Sequence, residues 1–308
     1  MYQKKVMRVI SIAIFLLFTG VHSQQDPLIS QYVYNTYALN PAFFGTLGVW
    51  EGVISARKQW GDFPGSPAIL MVSLYHTAFL KRYTGGILAL VDRIGPVRYS
   101  FISASMGYVL KAGRNASISA GMRAGIAFWN FDTRNIKQKD MEDLNTLTNN
   151  QYGGVLPFLS VGILYQSGKF YGGASITNLT ESVASTSPIY GEYLQKRHFY
   201  LFSGYTVVAG SGLLWKPSFC LRFVRGTPLN FQLDNTFVIS QILIAGLGLR
   251  SSPALIFILG ATLKDNIRAI INIERIVSRD QRNGLMSYEL IIGTSVFTRK
   301  IMASPSVL

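Results

Sequence analysis

Few side chains in this sequence are placed to do chemistry. His76 and His198 lie far apart in the chain, and neither has a second histidine or a cysteine nearby. A zinc site needs three or four such ligands together. Serines are numerous, but none has a spacing that indicates a nucleophile with a histidine base and an orienting carboxylate. The sequence therefore predicts no catalytic residue, no metal site and no cofactor, and we interpret each histidine as a satisfied or interfacial side chain.

Three pairs of adjacent glycines, at positions 85–86, 153–154 and 172–173, also fail to indicate a ligand site. A phosphate-binding loop needs a helix directly after its glycines, and no helix is predicted after any of these pairs. Glycines inside strands instead relieve crowding or allow bends. We therefore interpret the three pairs as structural.

The elements that would position any functional group are strands, and the clearest are residues 97–110 and 115–130, joined by a turn around Gly113. Apolar side chains occupy every second position of both runs, and small or polar side chains occupy the positions between. Successive strand residues point to opposite faces, so each run has one apolar face. A soluble sheet with one wet face would show the same pattern.

The length of the two runs favours a membrane hairpin over a soluble sheet. Each run exceeds the usual strand of about 5 to 6 residues and the roughly 9 to 11 residues that a tilted strand needs to cross a bilayer. Aromatic residues near the ends of the runs would fit the interfacial girdles of outer-membrane barrels. These residues are Tyr99, Tyr108, Phe128 and Trp129.

The N-terminus predicts export. Lys4, Lys5 and Arg8 precede an apolar stretch at 9–18, and small residues follow at 21–23, which is the pattern of a secretory signal peptide. No later stretch has the roughly 18 uninterrupted apolar residues of a spanning helix, yet the mean hydropathy is +0.26. A closed barrel is the remaining way to pair every backbone group in lipid, which predicts a bacterial outer-membrane protein.

Alternation and turn signals predict about fourteen antiparallel strands and a simple division of the chain. Residues 1–23 form the signal peptide, 24–48 an N-terminal periplasmic or plug segment, 49–298 the transmembrane β-barrel, and 299–308 a C-terminal periplasmic tail. The predicted strands are 50–60, 66–78, 84–93, 97–110, 115–130, 151–167, 169–177, 197–209, 214–225, 228–240, 241–251, 254–263, 266–276 and 285–297. The two longest connections, 131–150 and 178–196, fall at the same end, as external loops do. An even strand count places both termini in the periplasm.

Seven charged residues share the parity of the lumen-facing positions. They could line a solute pathway, or they could pair with one another and with a plug, because ionisable groups in a barrel interior need water or partners. They are Glu51, Arg57, Arg123, Arg222, Asp234, Arg268 and Glu274. The formal net charge of +14 could favour nucleic acid, but for an exported barrel we expect lipid phosphates and acidic partners instead.

The stretch at 25–45 is rich in tyrosine, asparagine and glutamine and holds two prolines, so neither a strand nor a long helix is predicted. Disordered segments are poor in aromatic residues. We therefore expect an ordered segment at the periplasmic mouth of the barrel or folded into its lumen.

Several motifs occur along the chain and supply candidate partner-binding residues. These residues are Gln31, Tyr32, Asn35, Asn40, Pro41, Ala42, Gly45, Arg57, Gln59, Trp60, Asp92, Arg93, Gly95 and Pro96, and further motifs lie at 73–77, 216–219 and 288–290. Together they resemble the PorP/SprF family of type IX secretion system outer-membrane proteins of Bacteroidetes. The resemblance extends over nearly the whole chain after the signal peptide, and the leader together with the turn at 92–96 is fairly specific.

The resemblance implies a 14-stranded barrel without catalytic activity that serves protein secretion or gliding motility. It also implies periplasmic partners: a ring of PorK and PorN components and a peptidoglycan-binding OmpA-like protein. Some family members instead assist the export of one surface protein. The leader would dock partners, and Arg57, Trp60 and the turn at 92–96 would lie towards the outer face, with Asp92 and Arg93 as a plain turn-stabilising pair in the simplest interpretation.

Two other functions stay open on the sequence. A passive outer-membrane diffusion channel with a basic lumen would favour anions and would conduct in a planar bilayer. A barrel enzyme acting on lipid is the weakest alternative, because His22 lies in the predicted signal peptide and only His76 and His198 would remain as a histidine base.

Overall fold

The computed structural model describes residues 30–43, 45, 49–61, 63–77, 82–132, 151–187, 191–263, 267–277 and 285–297. These contain one short helix, α1 (Thr36–Leu39), and strands that account for most of the remaining residues. The strands are β1 (Val49–Lys58), β2 (Ala68–Thr77), β3 (Tyr83–Ile94), β4 (Val97–Lys111), β5 (Ala116–Asp132), β6 (Gln151–Ser167), β7 (Phe170–Thr177), β8 (Val183–Ser187), β9 (Gly191–Leu194), β10 (His198–Tyr205), β11 (Val207–Gly210), β12 (Leu213–Val224), β13 (Asn230–Ile239), β14 (Leu243–Arg250), β15 (Ala254–Leu263), β16 (Ile267–Ile276) and β17 (Met286–Phe297).

The sheet closes into a barrel whose described wall has fourteen antiparallel strands. Each wall strand pairs with its sequence neighbour, and β1 pairs with β17 from Val49↔Phe297 to Lys58↔Tyr288, which closes the cylinder. Two of the assigned strands, β10 and β11, form one wall strand that is interrupted at Thr206, and β12 pairs with both. The predicted fold class and strand count are confirmed.

The two ends of the barrel differ. We call the end at which β1 begins and β17 ends the terminus end, and the opposite end the loop end. Turns at the terminus end are short, for example 168–169 and 211–212, whereas the loop end carries the long connections at 133–150 and 178–197. At the loop end one turn is also tight, because Gly95 adopts a φ of 54°, which side chains rarely tolerate.

Side chains alternate between the lipid-facing surface and the lumen, as predicted. On β4, Met106 is 64 % exposed and Ile102 53 % exposed, whereas Ser103 is only 3 % exposed. An apolar surface of this extent would be unfavourable in water, and hydrocarbon removes that cost. The aromatic prediction was wrong for two residues: Tyr108 and Phe128 face outward, but Tyr99 and Trp129 have the opposite parity and are buried in the lumen.

The structure also adds an element within the predicted loop at 178–196. There β8 and β9 pair as a separate two-stranded sheet. These two strands are too short to show the apolar alternation that predicts the wall strands. Within the described residues, no helix has the length and apolar character that a membrane crossing requires.

Several predictions fall on residues that are not described. The signal peptide at 1–23, the first residues of the segment at 24–48, most of the external loop at 131–150 and the tail at 299–308 lie outside the described residues.

Candidate functional site: the lumenal segment and its charge cluster

Residues 30–43, which we call the lumenal segment, lie inside the barrel and are buried along their whole length. Ser30 lies near the loop end, against side chains near the C-terminal ends of β1 and β16. Ala42 lies near the terminus end, where its carbonyl accepts a 2.6 Å hydrogen bond from the hydroxyl of Ser119 at the start of β5. The segment therefore runs along the lumen between the two ends.

A cluster of charged residues, the anchor cluster, surrounds the start of the segment. It consists of Ser30, Arg57, Arg250, Glu274 and Glu289. Arg57 binds Glu274 at two points, Nη1 to Oε1 at 2.5 Å and Nη2 to Oε2 at 2.9 Å, and its Nη1 lies 3.5 Å from Glu289. Arg250 binds the same Glu274 at 3.0 Å. Two buried guanidinium groups thus balance two buried carboxylates.

Ser30 joins the anchor cluster to the segment. Its N–H donates to Glu289 at 3.1 Å, and its hydroxyl contacts Glu274, Arg57 and Arg250. The carbonyl of Ser30 accepts a 2.6 Å hydrogen bond from Gln232. Buried charges are tolerable only when they are paired and hydrogen-bonded, and Ser30 supplies part of that pairing.

Arg123 holds the middle of the segment. Its guanidinium donates to the carbonyls of Tyr37 and Ala38, at 3.0 Å for Ala38, and lies 4.6 Å from the centre of the Tyr37 ring. The last carbonyls of a helix have no partner within the helix, and a cation there is favourable. The Tyr37 ring also stacks on Tyr75, whose hydroxyl donates to Glu51 at 2.8 Å.

Asn40 fixes the end of the segment to β6 and β7. Its amide nitrogen donates to the carbonyls of Ile163 and Ala174, at 2.9 and 3.3 Å, and its amide oxygen accepts from the Ala42 N–H at 2.8 Å. Ile163 and Ala174 are cross-strand partners, so one side chain bridges two strands of the wall.

Glycines on the inner wall make this contact possible. A β-carbon on Gly162 would lie 2.0 Å from the side-chain oxygen of Asn40, and one on Gly121 would lie 2.4 Å from the carbonyl oxygen of Pro41. Gly121 and Gly162 are directly opposed on β5 and β6. Among the predicted glycine pairs, Gly86 and Gly173 face the lumen in the same way, towards Tyr37 and Asn40.

The remaining leader residues contact the barrel too. Tyr32 donates to Ser218 at 3.1 Å, and Asn35 accepts a 3.1 Å hydrogen bond from Ser73. Gln31 is fully buried, and its amide finds no hydrogen-bond partner among the described residues. We expected the leader to dock periplasmic partners, whereas the described part binds the inner wall of its own barrel.

The residues predicted at the outer face lie at the loop end, but their side chains do not all face the same side of the wall. Arg57 and Asp92 point into the lumen, while Arg93 points outward, so the suggested Asp92–Arg93 pair does not form. Neighbours along a strand face opposite sides, which separates these two charges. In the β1–β2 loop the N–H of Trp60 donates to Ser287 at 3.2 Å, and the N–H of Gln59 donates to the Pro67 carbonyl at 2.9 Å.

Above the anchor cluster, at the loop end, lies a cavity of about 750 Å³. Arg250 and Glu274 contribute to its lining, together with Trp60, Asp92 and Arg222. The lumen thus contains an open chamber at the loop end, and the lumenal segment lies below it.

Neither histidine belongs to a site that could hold a metal. His76 packs against Trp50 at 4.7 Å on the outer surface, and His198 lies 3.0 Å from the Lys196 carbonyl. In the described part of the chain, no three or more histidine, cysteine or acidic side chains converge as metal ligands would.

Sequence reasoning assigned Arg57, Arg123 and Glu274 to the lumen but did not assign Ser30, Arg250 or Glu289, of which Glu289 appeared only within the family match at 288–290. Arg250 and Glu289 have the lumen-facing parity of their own strands and lie near the loop end. Their parity and their position near the same end of the barrel could have predicted that they join Arg57 and Glu274.

Comparison with known proteins agrees with this architecture. A family model described as "Type IX secretion system membrane protein PorP/SprF" matches residues 21–294. No curated protein matches the chain. Among solved structures, the CymD monoaromatic hydrocarbon channel is similar at a TM-score of 0.50 and 12 % identity, over 87 % of this chain and 92 % of that one. The Ralstonia pickettii toluene transporter TbuX is similar at a TM-score of 0.50 and 8 % identity, over 84 % and 92 %. At such identities the likeness shows the fold alone.

Proposed function

Because this chain belongs to the PorP/SprF family of type IX secretion system membrane proteins, we propose that it is a non-enzymatic barrel component of that machinery. It anchors periplasmic components, such as a PorK/PorN-type ring and a peptidoglycan-binding OmpA-like protein, at the outer membrane. In this proposal the terminus end faces the periplasm and the loop end faces outward. The same role serves the export of surface proteins and, in a gliding organism, motility.

The observation that carries the proposal is the occupied lumen. The lumenal segment is bound at Ser30 by the anchor cluster, at Tyr37 and Ala38 by Arg123, and at Asn40 by two wall strands. A barrel whose interior is filled and hydrogen-bonded in this way offers an anchor rather than a path for solutes. Arg57, Glu274 and Arg123 contact the segment or one another, which supports the plug alternative over a solute pathway.

The exposed turns at the terminus end supply a surface for partners. Lys111, Arg114 and Lys169 are exposed there, on the β4–β5 and β6–β7 connections. The two turns are joined, because the Gly168 N–H donates to the Asn115 carbonyl at 3.0 Å. A positive patch on a rigid pair of turns favours a partner with an acidic surface. Docking is thus assigned to these turns and not to the buried leader.

Affinity purification from native membranes tests this role. The tagged barrel should co-purify periplasmic proteins, and the triple variant Lys111→Glu/Arg114→Glu/Lys169→Glu should lose them and secrete less. Arg225→Glu, an exposed charge reversal at the loop end, is the matched control and should retain both. Equal recovery of periplasmic proteins with the triple variant would remove these turns as the docking surface.

A passive, anion-favouring diffusion channel is the competing function. Planar-bilayer recording separates the two, because a filled lumen should give no steady conductance. A stable, anion-selective conductance of the unmodified protein would favour the channel and would contradict the anchor proposal.

A further inference from the structure

Three cations lie in one row on the lipid-facing wall at the loop end. Lys58 is the last residue of β1, Arg93 lies one residue before the end of β3, and Arg98 is the second residue of β4. All three are exposed. The register pairs Lys58 with Ala68, Ala68 with Arg93, and Arg93 with Arg98. This cation row, Lys58, Arg93 and Arg98, therefore lies at one height across four adjacent strands.

Within the described residues, no salt bridge neutralises the cation row. Like charges directly opposite on neighbouring strands repel each other, as Arg93 and Arg98 do here. Neither guanidinium makes a hydrogen bond or an ion pair among the described residues, and Asp132, which lines a pocket with both, has an interaction of its own. Lys58 donates to a neutral acceptor, the Ser66 carbonyl, at 3.1 Å. An anion between these groups would relieve the repulsion.

An apolar groove begins directly below the row. It has a volume of about 600 Å³, and Leu70, Val91 and Leu290 line it towards the middle of the membrane. Ala68, between Lys58 and Arg93, leaves the entrance wide because its side chain is small. A second pocket of about 470 Å³ beside Arg98 is lined mostly by polar residues, Asn130 and Asp132 among them, and it includes the turn at 95–96. Cations at the mouth of the apolar groove, with hydrocarbon walls below, match an amphiphile that has an anionic head and acyl chains.

We propose that the cation row binds a phosphate group of a phosphorylated glycolipid of the outer leaflet, of the lipid A type, with an acyl chain in the apolar groove. Guanidinium groups bind phosphate oxygens through two parallel hydrogen bonds, and the lysine adds a point charge. A free phosphate would use the cations but leave the apolar groove empty, so the lipid is the better fit. The choice of leaflet rests on the orientation proposed above, whereas the site itself does not depend on a secretion role.

The test uses the purified protein in detergent and three probes: bisphosphorylated lipid A, the same lipid without its phosphates, and inorganic phosphate. Binding is measured by native mass spectrometry and by titration. Arg93→Gln/Arg98→Gln removes the pair. Arg275→Gln is the control, since Arg275 is also exposed on the outer wall at the loop end but is paired in register with the apolar Leu255 and Met286.

Loss of two charge-assisted contacts should weaken binding of bisphosphorylated lipid A by about tenfold or more, while the control should stay within about twofold. For the unmodified protein, the dephosphorylated lipid should bind at least about tenfold more weakly; this comparison holds even if the double variant fails to fold. Equal binding of the two lipids, full competition by inorganic phosphate, or unchanged binding by the folded double variant would overturn the proposal. Lost secretion with intact lipid binding would count only against the anchor role.

Discussion

Arg57 on β1 and Glu274 on β16 are 217 positions apart in the chain and form a two-point ion pair inside the lumen, with N–O distances of 2.5 and 2.9 Å. Both side chains are about 3 % exposed. The pair spans β17, which lies between β1 and β16 in the wall. It therefore links the two sides of the closure and, through Ser30, the closure to the lumenal segment.

Replacing Arg57 with methionine should destabilise the barrel by about 3 to 5 kcal/mol, because two buried carboxylates would then share one arginine. The free energy of unfolding in urea, measured in detergent micelles, reports this. The double variant Arg57→Met/Glu274→Met should lose less than the single variant, because it removes one charge of each sign. Arg225→Met, on an exposed turn, should change stability by under about 0.5 kcal/mol. A single variant as stable as that control would show that the anchor cluster contributes no stability.

Deleting residues 30–43 should open the lumen without removing the barrel, because the wall strands pair with one another and not with the segment. The deletion variant should conduct ions in planar bilayers, and the unmodified protein should not. Heat-modifiable migration in electrophoresis serves as the control for a folded barrel. If the folded deletion variant conducts no more than the unmodified protein, the segment does not close the lumen.

Substituting alanine for Gly162 should push the end of the segment away from the wall, because the new β-carbon would lie 2.0 Å from the Asn40 side chain. Overpacking of this kind costs about 1 to 3 kcal/mol. Limited proteolysis of the segment and bilayer conductance should both increase. Gly85→Ala is the matched control, since its β-carbon would meet only an ordinary contact at 3.6 Å. Equal behaviour of the two variants would argue against tight packing at Asn40.

Replacing Arg123 with methionine should loosen the middle of the segment, because the carbonyls of Tyr37 and Ala38 would lose their donor in a buried place. Each buried polar group left unpaired costs about 1 to 3 kcal/mol. Amide hydrogen exchange of α1 should speed up more than exchange of the wall strands. The exchange rate of α1 in Arg123→Lys should lie between those of the unmodified protein and the methionine variant, because an ammonium group does not reproduce the planar guanidinium. Unchanged exchange in the methionine variant would contradict this role.

Local order along the chain was readable from the sequence. Thirteen of the fourteen predicted wall strands occur within two residues of their predicted bounds, and the other, 197–209, is interrupted at Thr206. Lumen parity also identified Arg57, Arg123 and Glu274 as inward-facing. Both results depend on the two-residue repeat of a strand, which operates between neighbours in the chain. The short β8–β9 hairpin has too few residues for that signal. Tyr99 and Trp129 were assigned to the membrane interface because they lie near strand ends, although their parity places both side chains in the lumen.

The sequence by itself determined a barrel of about fourteen strands, the side of each strand that faces lipid, and the expectation of an ordered leader. Only the tertiary structure decided that the leader lies along the lumen, that Ser30 meets Arg57, Arg250, Glu274 and Glu289, and that Lys58, Arg93 and Arg98 share one row. The physical reason is that the side of the sheet on which a side chain lies depends on its neighbours in the chain. Contacts between distant residues depend instead on how the sheet closes and on the register between strands.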